Sequence, residues 1–532
     1  MLILNDVGLE NKENWVSAGF LMPKFDRSGV ISLTEATPEW VHFGAGNIFR
    51  AFIADISQSL LNQGLSKTGI IVAEGYDTEI IDTVYTPYDN LCINVILKSD
   101  GDIEKRVLAS VTESLKTDTK GLTRLMTIFE SESLQIVSLT ITEKGYSVKN
   151  AEDSFYESVN NDMLAGPDAA TTFIGKLTAL CYHRFIKGAQ PLALVSMDNV
   201  SNNGKCLQDA IRLFAESWAK FGYVKKSFLE YIDNPEKLSF PWTMIDKITP
   251  GPSKQVAEHL KESGLALPSI IVTEKTSEVA PFVNAEETGY LVIEDSFPNG
   301  RPALEKAGVI LTNRETVTKV EKMKVCTCLN PLHTALSVFA CMLGFTRVSD
   351  SMKDEDIAKL IRFIASEGMP VVVDPKILSP KEFADTVINI RLPNSFIPDT
   401  PQRIATDTSQ KLSVRFGETI KAYVSSDTLD VTSLKAIPLA LAGWCRYLVG
   451  IDDTGKGFKL DPDPLLPELR PVFSVFSLGN DADYKTALRP ILSNSSIFGL
   501  DLYTTGIAEK IESLFAEMMK EPGAVRKALQ KL

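Results

Sequence analysis

The sequence predicts an α/β protein: a parallel-sheet N-terminal domain over about 1–315, then a mainly α-helical domain over about 316–532. Three observations predict it. Short apolar runs alternate with helical patterns through the first part of the chain. A glycine pair follows the first of those runs and opens a helix-like segment. Beyond about residue 315 amphipathic stretches of helical period take over.

The elements follow in order. Residues 1–38 read as a polar lead-in with few periodic signals. Glu39–Phe43 is the first strand, Ala51–Gln63 the helix after it, and Gly69–Ala73 the second strand. Leu91–Leu97, Ile136–Ile141 and Leu192–Ser196 continue the strand series, with a helix at Gly121–Glu130 and a late strand at Leu291–Ile293. In the second part, helices are expected at Pro331–Phe345, Asp354–Glu367, Val414–Tyr423, Val431–Leu448 and Ile507–Lys520. Turn-rich segments at Asp374–Pro380 and Asp461–Pro467 separate some of them.

Composition narrows the function classes. The 532 residues are 44% hydrophobic and 23% charged, ordinary for a globular protein with a sizeable core. A net charge of -13 argues against nucleic acid or an anionic membrane as the main partner and leaves a small molecule. The start, MLILNDVGLENKENW, has no basic segment, long apolar run or small-residue cleavage site. The longest apolar stretch, Thr334–Phe345, is shorter than the roughly 18 residues of a membrane span. Seven scattered cysteines suggest reduced thiols, and a cytoplasmic location is expected. The four histidines, His42, His183, His259 and His333, form no metal-binding pattern. Cys326-x-Cys328 is isolated within an expected strand, so a metal-independent protein is predicted.

The strongest local signal is Val41-His-Phe-Gly44-Ala-Gly46-Asn47-Ile-Phe-Arg50-Ala-Phe. A strand running into Gly-x-Gly and then a helix suits a dinucleotide. The first glycine permits the tight turn, the second lets a diphosphate approach the backbone, and the helix start offers free N–H groups. Gly44, Gly46, Asn47 and Arg50 are therefore the candidate cofactor residues. Phe49 stands where a third glycine is usual. Glu74, just after the second strand, is the candidate acid for the ribose hydroxyls and favours NAD over NADP. It lies 28 residues after Gly46 rather than about 20, and a solvated loop acid is the alternative reading.

Seven further segments share one resemblance. LMPKFDRSGV (21–30), TITEKGY (140–146), SMDNVSNNG (196–204), FPWTMIDKITP (240–250), VIEDSFPNGRP (292–302), KVCTCLNPLHTAL (324–336) and RIATDTSQK (403–411) are, with the glycine motif, similar to the mannitol dehydrogenase family. The ordered set spans nearly the whole chain. The resemblance implies a Rossmann-type nucleotide domain, a helical substrate domain, an active site between them, and hydride transfer between NAD and a carbon of an open-chain polyol or sugar acid.

The resemblance also implies roles. Lys324 is the general base, Asn199 and Asn330 form the oxyanion hole, and His333 holds a substrate hydroxyl. Asp246, Arg403 and Lys411 line the substrate. Elementary chemistry agrees with these types. An asparagine amide donates to an alkoxide without titrating, and a buried amine can act as base near neutral pH. Other uses of the same residues stay open: Asn199 in an Asx turn, Asn330 as a helix N-cap before Pro331, His333 as a structural histidine, and Asp246 paired with Lys247. Arg403 and Lys411, eight positions apart, would lie within roughly 80° of each other on a single helix.

Two departures from the family pattern matter. Lys324 stands six positions before Asn330 where five is usual, and a bulge is expected to absorb the extra residue. Phe49 and Phe52 stand where polyol-oxidising members carry histidines, so the chain resembles the hexuronate-reductase branch, with D-fructuronate and D-mannonate the expected pair. The alternatives are mannitol 2-dehydrogenase or tagaturonate reductase activity, or, from another class, an inactive NAD-binding sensor.

Overall fold

The computed structural model describes residues 1–532 apart from 151, 267–269 and 481. The chain forms two compact units, Met1–Thr318 and Lys319–Leu532.

The first unit is built on six parallel strands: β1 (Trp40–Phe43), β2 (Ile70–Glu74), β3 (Val111–Lys116), β4 (Ile136–Leu139), β5 (Leu192–Ser196) and β6 (Leu238–Ser239). Their spatial order is β3-β2-β1-β4-β5-β6, with every neighbouring pair parallel. This is the doubly wound arrangement of dinucleotide-binding domains, whose chain order reverses beside β1. The strands are apolar runs because helices cover both faces; Ile70, Ile71, Val72 and Ala73 are all fully buried. Alternate residues feed two cores. Val41, Ile71 and Val137 pack with Phe129, Phe214 and Trp218, whereas Trp40, Ile70 and Ile136 pack with Phe49 and Tyr85 on the opposite face.

Three expectations need correction. The Leu91–Leu97 run does not join this sheet. Cys92–Leu97 pairs antiparallel with Ile103–Leu108 in a separate four-stranded sheet that also holds Phe20–Leu21 and Phe282–Glu286. An apolar run declares a strand but not its partner. Strand β3 escaped notice because it is an edge strand of sequence VTESLK, only partly buried beyond Thr112. The lead-in is structured: it contains the helix Arg27–Ala36 and the fully buried Trp15.

The second unit is helical. Its centre is Asn330–Met342, buried along almost its whole length against Glu355–Gly368, Pro401–Ala405 and Ala436–Leu448. Among the described residues one helical stretch, Arg314–Met342, is long and apolar enough to cross a membrane, and most of it is buried inside the protein. Cys326 and Cys328 lie in a π-helical turn, Lys324–Cys328, not in a strand.

Candidate active site

The glycine turn sits at the carboxyl end of β1. Gly44 has φ +108°, and a Cβ there would stand 2.2 Å from the Thr140 carbonyl oxygen. Only glycine lets β1 pass this close to the end of β4. Gly46 differs: a Cβ there would meet nothing within 4 Å, so its bareness leaves open space beside the helix start. Such a cradle fits a diphosphate. Beneath the turn, His42 is fully buried between Ser138 Oγ (2.7 Å) and Thr140 Oγ1 (2.8 Å) and stacks on Phe49. Burial pushes its pKa down to about 3, so this imidazole is neutral and structural.

Glu74 is nearly buried at the end of β2. One carboxylate oxygen accepts the Ala45 N–H (2.8 Å) and the other accepts those of Gly75, Tyr76 and Asp77. The acid thus ties the glycine turn to the second strand. Arg50 is also buried and donates to the Ala280 carbonyl (2.6 Å) and to Asn47 Oδ1 (2.9 Å). Its position makes it a support for Asn47, which lies at the surface of the turn.

Asn199 is exposed just beyond the end of β5, and its neighbour Asp198 organises the surroundings. The Asp198 carboxylate accepts from the backbone N–H of Ile141 (2.9 Å) and Thr142 (3.0 Å) and from the Tyr146 hydroxyl (2.6 Å). Burial raises the Asp198 pKa, and these three donors oppose the shift. Thr142 is held at φ +63°, a costly left-handed conformation for a β-branched residue. Asn203, fully buried, donates to the carbonyls of Asp198 (3.0 Å) and Thr243 (3.1 Å). It fastens the β5 end to Thr243–Asp246, the strand that ends in the buried Asp246. Lys247 Nζ donates to the Glu286 carbonyl at 2.6 Å. Asp198, Tyr146 and Asn203 were not singled out from the sequence, although all three lie in the motifs TITEKGY and SMDNVSNNG.

In the second unit, Lys324 is buried at the first position of the π turn, and the Leu329 N–H donates to its carbonyl, five residues back, at 3.0 Å. The expected β-bulge is thus a π-bulge, which takes one more residue per turn than an α-helix. The next helix starts at Asn330 itself, with Leu329 in the cap position and no side-chain cap bond. The capping role offered for Asn330 is therefore not what this helix uses. The Asn330 side chain is half-buried and makes no hydrogen bond among the described residues, and half-buried His333 lies three residues on. Arg403 and Lys411 do not share a helix: Pro401–Ala405 ends before a separate 3-10 turn at Thr408–Gln410. Arg403 is exposed and held by both oxygens of Asp399 at 2.7 Å. Lys411 Nζ donates to the Thr406 carbonyl.

Among the described residues no cluster of three or more His, Cys, Asp or Glu could hold a metal ion. The nucleotide-type sheet, the glycine cradle and the polar residues at the strand ends agree with what sequence comparison finds. The mannitol dehydrogenase Rossmann domain matches residues 38–306 and the mannitol dehydrogenase C-terminal domain matches 316–519. The chain belongs to the mannitol dehydrogenase family. It is an oxidoreductase acting on CH–OH groups. The family member D-mannonate oxidoreductase of Thermotoga maritima is 51% identical over 99% of this chain and 98% of its own. A mannitol 2-dehydrogenase of Pseudomonas fluorescens, solved with NAD and D-mannitol, has a TM-score of 0.72 at 24% identity, covering 99% of each chain. A solved D-sorbitol dehydrogenase has a TM-score of 0.77 at 24% identity, covering 96% of this chain and 98% of its own. These two structures share the fold.

Proposed function

We propose that this mannitol dehydrogenase family member interconverts D-mannonate and D-fructuronate with NAD. The single observation that carries the reading is 51% identity, over 99% of the chain, to a D-mannonate oxidoreductase. The cradle at Gly44 and Gly46 takes the diphosphate, with Asn47 beside it. Glu74 places negative charge at the end of β2, which disfavours a 2′-phosphate even while its oxygens accept backbone amides. When bound, NAD supplies the acceptor for the hydride leaving the substrate carbon.

The chain's own residues do the rest. Lys324 takes the hydroxyl proton during oxidation and returns it to the carbonyl oxygen during reduction. The side-chain amides of Asn199 and Asn330 hold that oxygen as its charge grows. His333 and Asp246 bind neighbouring hydroxyls and fix which carbon reacts.

The test is NADH consumption with D-fructuronate, D-tagaturonate and D-fructose in parallel. D-fructuronate is expected to give the highest kcat/KM. Turnover of fructose without turnover of fructuronate overturns the assignment, and tight NADH binding without turnover of any sugar marks an inactive sensor.

A further inference from the structure

We propose that Asp198 is the positioning residue that aims the Asn199 amide at the reacting oxygen. The proposal rests on the reading of Asn199 as an oxyanion donor and says what holds that donor still. The Asn199 side chain is exposed, whereas the backbone on either side of it is held. The Val200 N–H donates to the Asp198 carbonyl at 2.8 Å, closing a three-residue turn with Asn199 at its centre. The same carbonyl accepts from Asn203 Nδ2 at 3.0 Å. Asn203 is itself locked, its Oδ1 accepting the N–H of Gly204 (2.8 Å) and that of Thr243 (3.0 Å).

The Asp198 carboxylate holds the turn from its other side. Tyr146 has one phenolic proton, and it goes to Asp198. In the 2.7 Å contact between Tyr146 and Ser196 Oγ the serine therefore donates, and Ser196 is the last residue of β5. The carboxylate is thus tied to the residues after β4 and, through the phenol, back to its own strand. Among the described residues Asp198 forms no ion pair, so neutral donors alone meet its charge. The arrangement is costly. Burial opposes ionisation of Asp198, and Thr142, whose N–H serves the carboxylate, is held left-handed at φ +63°. A serine or glycine would turn a strand end without burying a charge. What the carboxylate adds is rigidity: a turn pinned at both the side chain and the carbonyl of Asp198 leaves Asn199 little freedom beyond its own side-chain torsions, as a preorganised donor requires.

Steady-state reduction of D-fructuronate by the whole enzyme tests this in a double-mutant cycle of Asp198→Asn, Asn199→Ala and the two together. Tyr146→Phe, alone and combined with Asn199→Ala, is a second cycle that serves if Asp198→Asn folds poorly. Asn199→Ala is expected to lower kcat about 100-fold or more and Asp198→Asn about 10- to 100-fold, each with KM and NADH affinity within about threefold of wild type. The double variant is expected to match Asn199→Ala within about threefold, because a misaimed amide and a missing amide forfeit the same interaction. Tyr146→Phe is expected to lower kcat less than Asp198→Asn does, and to have no further effect once residue 199 is alanine. Losses that multiply in either cycle, or an Asp198→Asn enzyme as fast as wild type, overturn the positioning role and leave Asp198 a support for the strand ends. An Asn199→Ala enzyme within about threefold of wild type removes the oxyanion reading itself, and this proposal with it. If the wild type prefers another sugar, the substrate reading fails while the same cycles on that sugar decide the role of Asp198.

Discussion

The two glycines of the nucleotide turn have opposite duties, and replacing each with alanine separates them. At Gly44 the added Cβ meets the Thr140 carbonyl in a left-handed backbone, so Gly44→Ala should cost about 2–5 kcal/mol in chemical denaturation. At Gly46 the space is open, so stability should change by less than about 1 kcal/mol while NADH titration shows binding weakened about tenfold or more. Lys324→Met should lower kcat about 100- to 10,000-fold, with NADH affinity retained. His42 predicts a pH effect. Its folded pKa, about 3, lies below the ordinary value of 6.5, so the unfolded chain binds a proton that the folded chain refuses. This residue's contribution is complete above about pH 6.5 and is lost toward pH 3, at roughly 1.4 kcal/mol per pH unit. In His42→Gln the stability difference between pH 7 and pH 5 should shrink by about 2 kcal/mol; an unchanged difference would mean His42 is not buried neutral.

At the scale of elements, Asp198 joins two strand ends. Its carboxylate holds the amides of Ile141 and Thr142 after β4, while its own backbone leads β5 into Asn199. Tyr146→Phe removes the one side-chain donor to this carboxylate among the described residues and should cost about 1–3 kcal/mol. If the junction sets the aim of Asn199, kcat for the sugar acid should fall while NADH affinity holds; equal loss of both would count against it. The elements also show what was legible in the sequence. β1, β2, β4 and β5 announced themselves because central parallel strands must be apolar on both faces. β3 did not, because an edge strand is half wet. The helix break at Leu329 was readable only as a one-residue discrepancy between Lys324 and Asn330, since π and β bulges leave the same trace in spacing. The pairing of Arg403 with Asp399 needed coordinates, because spacing along the chain does not reveal which cation already has an anion.

For the molecule as a whole, the chain divides into the compact units Met1–Thr318 and Lys319–Leu532. The residues assigned to the cofactor all fall in the first unit, so a fragment of residues 1–318 should bind NADH and turn over no sugar. Failure of a folded fragment to bind would remove the nucleotide role from that unit. All seven cysteines are free, and five are buried. Burial lifts Cys181, Cys328, Cys341 and Cys445 to about 12 and Cys326 to about 11. Few thiolates therefore exist at pH 8. An Ellman titration of the native protein should show at most the two partly exposed thiols, Cys206 and Cys326, reacting promptly, and all seven after denaturation.

The π turn at Lys324–Cys328 has a consequence for how such a chain can change. A loop that gains a residue usually moves whatever follows it. Here a surplus codon is swallowed inside a rod, and the helices on either side keep their places in the packing. An ancestor one residue shorter and this descendant could thus point the same amine with different spacing, and a single in-frame deletion within the turn would return the rod to α-helix without dismantling either flank.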